Sequence, residues 1–128
     1  MLDFMKNLEP HTYSALRIVA GFLFLWHGTQ KLLGIPVEAP GEMPFFIQYL
    51  AGGIELVGGL LVMLGLFTRQ AAFLSSGLMA AAYWMAHGLN HPLPLLNRGE
   101  LAALYCFVFL FISARGPGIW SVDALRTR

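Results

Sequence analysis

S-A-L-R-I-V-A-G-F-L-F-L-W-H-G-T-Q-K-L-L, running from Ser14 to Leu33, decides how the rest of the chain reads. It is long and apolar enough for a helix that crosses a bilayer, which needs about 20 residues. Yet it carries Arg17 near one end and His27, Gln30 and Lys31 near the other. Ionisable side chains in hydrocarbon are costly and require partners. Each of the other hydrophobic segments offers one, namely Glu55, His87 and Glu100. The pattern predicts one buried polar site on which several segments converge.

Composition supports a membrane setting. Of 128 residues, 57% are hydrophobic and only 12% charged, about half the charged share of a soluble domain. The mean hydropathy is +0.64. This length predicts a single domain over residues 1–128. A net charge of +1 without a basic run argues against a nucleic-acid partner. Cys106 is the sole cysteine, so no internal disulfide or C-x-x-C chemistry exists. It reads as a small buried hydrophobe. Residues 2–11 show no apolar signal core or cleavage site, so the first spanning helix is expected to direct insertion.

Four helices are predicted, at about 12–33, 45–67, 71–89 and 97–114. Gly34 and Pro36 end the first. Val37 to Pro44, with its prolines, glycine and two acids, is a loop. In the second segment Gly52, Glu55 and Gly59 share one face at helical spacing, which favours close helix approach around Glu55. Gly58 and Gly65 share another face, read as a packing surface for a homo-oligomer. Thr68 to Gln70 reads as a polar turn. Asn97 and Glu100 have capping-box spacing at the start of the fourth segment. The fold class expected is an all-α integral membrane four-helix bundle, up-down-up-down, since lipid leaves the backbone no other partners.

Lys6, Arg69, Arg115, Arg126 and Arg128 would share one side of such a bundle, with Lys31 and Arg98 on the other. The positive-inside rule then places both termini in the cytoplasm. His27, Lys31, Glu55, His87, Asn97 and Glu100 fall in the outer half, and Arg17 stands apart as an anchor near the inner headgroups. A weak internal echo pairs His27-Gly28 with His87-Gly88, and Gly53–Leu56 with Gly99–Leu101. Each helical hairpin would thus supply a histidine and then a glutamate.

Three chemistries suit these residue types. In a quinone or related redox-lipid site, His27, Lys31, His87 and Asn97 would bind ligand oxygens, with Glu55 and Glu100 handling protons. Trp26, Tyr83, Trp84 and Tyr105 would flank a ring. A metal held by His27, His87, Glu55 and Glu100 is a weaker alternative, because no metal-binding motif is present and Lys31 would oppose a cation. Haem between His27 and His87 is a third. A non-enzymatic alternative makes the polar cluster a lock on helix packing in an assembly or interaction protein. His91 reads as a loop residue.

The segments Arg17–Leu32, Gly52–Arg69, His87-Gly88, Asn97–Tyr105 and Arg115–Asp123, taken in order, resemble the DoxX family of small bacterial membrane proteins. The resemblance covers nearly the whole chain. It implies four transmembrane helices in the bacterial inner membrane. The family takes its name from a membrane thiosulfate:quinone oxidoreductase. Some members are linked to oxidative-stress or thiol-redox complexes, and the wider superfamily includes assembly factors and chaperones. A redox partner protein is implied on the same basis. Arg17, His27, Lys31, Glu55, His87, Asn97 and Glu100 match the pattern's polar positions.

Overall fold

Pro10 in its first turn and Gly34 at its end delimit the longest helix. Proline suits a first turn because its missing N–H would have no partner there. Gly34 adopts the left-handed conformation (φ 68°) and returns its N–H to Gln30 O, a cap that glycine accepts without strain. In a computed structural model, which describes residues 1–127, this helix is α2 (Glu9–Leu33), preceded by the short α1 (Phe4–Asn7). A π-helical turn at Ile47–Ala51 leads into α3 (Gly52–Leu64). Next, α4 (Thr68–Tyr83) runs into a second π-helical turn at Trp84–Gly88. The chain finishes with α5 (Pro94–Asn97), α6 (Glu100–Arg115) and α7 (Val122–Arg126). Among the described residues there is no strand. Arg128, expected on the same side of the bundle as Lys6 and Arg126, lies outside them.

One helix among the described residues, Ile47–Leu64, is by itself long and apolar enough to cross a membrane. The polar groups of α2 dilute its hydropathy. The 16 residues of α6 reach only about 24 Å at ~1.5 Å per residue.

Two boundaries differ from expectation. Thr68 to Gln70 is not a turn but the first turn of α4. Gly65, left-handed at φ 70°, ends α3 earlier, and Asp123 caps the next helix from a distance. Its carboxylate accepts the N–H groups of Phe67 (3.0 Å) and Thr68 (2.9 Å) and the Thr68 hydroxyl (2.8 Å). The capping box at Asn97 and Glu100 does not form either. Asn97 ends α5, Arg98 turns left-handed (φ 61°), and Gly99 occupies the N-cap of α6.

Packing is most extensive between α2 and α3, then between α4 and α6, with α3 against α4 joining the pairs and little contact between α2 and α6. Glycine explains the first pairing. A Cβ on Gly21 would stand 2.5 Å from Met63 N, and one on Gly59 would stand 2.7 Å from Leu25 N. Gly28 meets the backbone at Leu56 and Gly52 in the same way. The two backbones therefore touch along an antiparallel seam, the close approach small residues permit. Gly58 and Gly65 do not form an outer face. Both are buried, Gly58 against Ser75 of α4 and Gly65 against Ser121. Phe24, Val62, Ala72, Phe109 and Ile112, each 0% exposed, form the shared core.

Arg17 is no headgroup anchor. It is fully buried and donates to Val62 O (2.8 Å) and Met63 O (2.9 Å) at the end of α3, and to Ile119 O (3.3 Å) and Trp120 O (2.6 Å). The last carbonyls of a helix have no intrahelical donors, and the guanidinium fork supplies several at once. Arg69 serves α6 likewise, donating to the carbonyls of Ser113, Ala114 and Arg115. Ser14 Oγ donates to Ile119 O and Tyr13 OH to Gly116 O, so the C-terminal segment is tied to the start of α2.

Gly21→Ala and Gly59→Ala should each destabilise the protein by about 1–3 kcal/mol, the range for overpacking without room to relax. Gly77→Ala, with nothing within 4 Å of the added carbon, should have no such cost. Thermal unfolding in detergent compares them. Asp123 supplies a pH signature. Partial burial raises its pKa, but the hydrogen bonds from Thr68 and Phe67 and the charge of Arg126 outweigh burial and hold it below the ordinary value. A depressed folded-state pKa adds stability above the unfolded value, and that stability is lost as pH falls through the folded value. The stability gap between wild type and Asp123→Asn should be constant above about pH 5 and close as pH falls below about 4, where an ordinary Asp protonates.

Candidate functional site

Gly52 decides where Lys31 lies. A Cβ there would stand 3.0 Å from Lys31 Cβ, so the bare glycine lets the base of Lys31 rest on α3. One turn along α3, Glu55 is 3% exposed. Lys31 Nζ donates to both its oxygens, at 2.9 and 2.8 Å. The Lys31 side chain keeps 16% of its exposure and that of Glu55 only 4%. Two ions leaving water together lose hydration, which direct two-point contact partly repays. Gln48 Nε2 donates to Lys31 O at 3.1 Å, fixing the backbone at the end of α2.

This pair forms part of the wall of a cavity of about 530 Å³ between the α2–α3 and α4–α6 pairs. His27 and His87 also line it, together with Arg98 and Tyr105. Its remaining walls are mostly apolar, including Phe24, Leu50, Met79 and Ala102. Both π-helical turns border it, through Ile47, Leu50 and Ala51 on one side and Met85, Ala86 and His87 on the other. Such turns widen a helix locally and are frequent at functional sites.

His27 is half-buried, and neither ring nitrogen has a hydrogen-bond partner among the described residues. Its ring meets that of Tyr105 edge-on, with centroids 6.1 Å apart. His87 is held differently, with Nδ1 at 3.0 Å from the backbone carbonyl of Asn97. The Asn97 side chain bonds Tyr83 OH (3.0 Å), His91 O (2.8 Å) and Gly99 N (2.8 Å).

The structure thus gathers four expected residues, His27, Lys31, Glu55 and His87, around one cavity. Asn97 is instead buried behind it with its side chain committed to the loop. Glu100, at the first position of α6, is exposed and does not line it. Trp26 and Trp84 are largely exposed, and Tyr83 supports Asn97, so only Tyr105 of the expected ring-flanking aromatics is in the wall. The four-ligand metal alternative is not assembled. Among the described residues no three His, Cys, Asp or Glu side chains come together to hold an ion, because Glu55 faces Lys31 and Glu100 points elsewhere. Sequence reasoning missed Arg98 in this wall, which looked like an ordinary loop cation. It also missed both π-helical turns, which have no composition signal. Cys106 is half-buried beside Ser76, whose hydroxyl donates to Cys106 O at 2.7 Å.

Glu55→Gln should cost about 3 kcal/mol, the lower end for breaking a buried pair, read as a lower Tm in detergent. The double change Lys31→Met with Glu55→Leu should cost less than this single one. An unchanged Tm for Glu55→Gln would show that the pair locks nothing.

No solved structure matches the chain. An uncharacterized protein of Haemophilus influenzae is 42% identical, over 93% of this chain and 96% of its own length. The inner membrane protein YqjF of Escherichia coli is 29% identical over 94% of this chain and 96% of its own. A Bacillus subtilis protein named "Putative oxidoreductase CatD" is 40% identical over half of each chain. The DoxX family profile matches residues 13–88, from the start of α2 through the second π-helical turn. On this match and the near full-length relatives, the chain belongs to the DoxX family of membrane proteins.

Proposed function

We propose that this protein is a multi-pass membrane protein that holds a small apolar redox ligand of the quinone type in the cavity beside Lys31 and Glu55, as a redox subunit or its accessory. The observation that carries this reading is the cavity itself. Its walls are mostly apolar, and it is lined by a buried ion pair and by a histidine with no hydrogen-bond partner among the described residues. A ligand pocket of 300–1,000 Å³ with a few convergent polar groups is the usual form of a small-molecule site. The residues present fit such a ligand. The ring nitrogens of His27 can face a ligand oxygen, Lys31 lies one helical turn further on, and Phe46, Leu50 and Leu101, all exposed residues of the wall, offer apolar surface. A quinone would supply electron transfer. Glu55 and Lys31 would balance charge and exchange a proton near it. The oxidoreductase in the name of the Bacillus subtilis relative points the same way.

Four spans with both termini in the cytoplasm complete the reading. Large apolar side chains such as Phe22, Leu23, Val57, Phe73, Leu104 and Phe107 are 45–68% exposed, far more than a soluble surface tolerates in one band. Arg115 pairs with Glu9 at 2.7 Å, and the turn before α4 meets the C-terminal segment. Lys6, Arg69, Arg115 and Arg126 therefore gather at one end, which the positive-inside rule places in the cytoplasm. With one cysteine in the chain, electrons would come from a partner protein or a second substrate. A second reading, an assembly protein whose polar cluster is a lock, is favoured by the Lys31–Glu55 bond, since it joins α2 to α3 whether or not a ligand binds.

The purified protein should retain an extractable quinone from its native membrane. A short-chain quinone at a hundredfold excess over its Kd should stabilise it by about 2.7 kcal/mol, and Ala102→Phe, which fills the cavity, should abolish that shift. Finding neither a bound quinone nor a shift would leave the lock as the reading.

A further inference from the structure

The hydrogen bond on His87 settles which of its nitrogens carries a proton. A backbone carbonyl only accepts. Nδ1, 3.0 Å from Asn97 O, must therefore be the donor, which leaves Nε2 of the neutral ring with a lone pair. Nε2 has no partner among the described residues, although His87 lines the cavity. The arrangement is rigid, because three side-chain hydrogen bonds hold Asn97.

The residue following that carbonyl is Arg98, which also lines the cavity. Arg98 forms no ion pair among the described residues. The other titratable groups facing the cavity are His27 and Lys31 from α2, Glu55 from α3 and Tyr105 from α6. Lys31 and Glu55 are committed to each other, so they neutralise one another. Tyr83 and His91 stand behind, around Asn97. The cavity wall thus holds an acceptor, Nε2 of His87, and a cation, Arg98, that has no counter-ion among the described residues.

We propose that the ligand bears a weakly acidic hydroxyl on an apolar body, a phenol in the simplest case, whose proton His87 accepts and whose anion Arg98 stabilises. This rests on the cavity being a ligand site, and it names the chemical class that site selects. In the transfer the ligand O–H bond breaks and an N–H bond forms at Nε2. The bonding electron pair stays on the oxygen beside Arg98, and the imidazolium keeps its bond to Asn97 O. No electron leaves the ligand in this step. Asn97 is a positioning residue, acting through the ring it holds.

The test uses the full chain in detergent with 4-nitrophenol, whose anion is coloured, and 4-nitroanisole, which has the same ring without the acidic hydroxyl. Bound nitrophenol should ionise about one pH unit lower than in protein-free detergent, the size of shift a neighbouring guanidinium gives an acid. Arg98→Asn should remove most of that shift and leave nitroanisole binding unchanged. His87→Gln should weaken nitrophenol about fivefold, as loss of one hydrogen bond does, with nitroanisole again unaffected. Should His87→Gln fail to fold, Arg98→Asn at its exposed position carries the test. Equal binding of both probes, or a shift that survives both substitutions, overturns the proposal while the cavity remains a ligand site. A shift removed by His27→Gln and not by His87→Gln also overturns it. Binding of neither probe while a short-chain quinone still stabilises the protein overturns this proposal alone, and binding of none of the three overturns the ligand-site reading with it.

Discussion

The backbone contact between α2 and α3 is the constraint on which the rest of the molecule depends. Without the glycines at 21, 28, 52 and 59 the two helices would stand further apart by roughly the width of a side chain. Lys31 would then not rest on Gly52, and its ammonium would not reach both oxygens of Glu55. In a medium without water, that contact is what makes a buried carboxylate tolerable. The seam also spends the facing surfaces of two helices on each other. The cavity beside Lys31 and Glu55 accordingly opens on the other side, where α2 scarcely touches α6.

The two ends of the molecule use polarity differently. At the end bearing the termini, Arg17, Arg69 and Asp123 each bond backbone groups that a helix terminus leaves unpaired. Their charges are consumed as caps, which fits a rigid base. At the other end the chain relaxes into π-helical turns, and several polar side chains face open volume instead of backbone. Among the described residues neither ring nitrogen of the half-buried His27, nor Nε2 of the half-buried His87, has a hydrogen-bond partner. A stiff base beneath a wider half suits the ligand site proposed for the cavity.

Much of this was legible in sequence for a definite reason. Helical periodicity put Gly52, Glu55 and Gly59 on one face, and spacing by four put Lys31 beside His27. Those are relations within a helix, where geometry follows from residue number. Asn97 and Glu100 show the opposite case. Their spacing matched a capping box, but Gly99 and the left-handed Arg98 started the helix later, so Asn97 turned inward to support His87 and Glu100 turned out to the surface. Cap geometry depends on local backbone conformation, and a short α5 before it changed the register.

The sequence by itself determined that the chain is helical, that it belongs in a membrane, and that its charged groups need partners, because these follow from hydrophobic content and the cost of burying charge. Tertiary structure alone decided which partner each charge found. Arg17 and Lys31 sit on one helix and look alike in the sequence. One met the carbonyl end of α3 and became a cap, while the other met Glu55 and became part of a cavity wall. The difference lies in what the neighbouring backbone leaves unsatisfied at each depth, and only the packed helices set that.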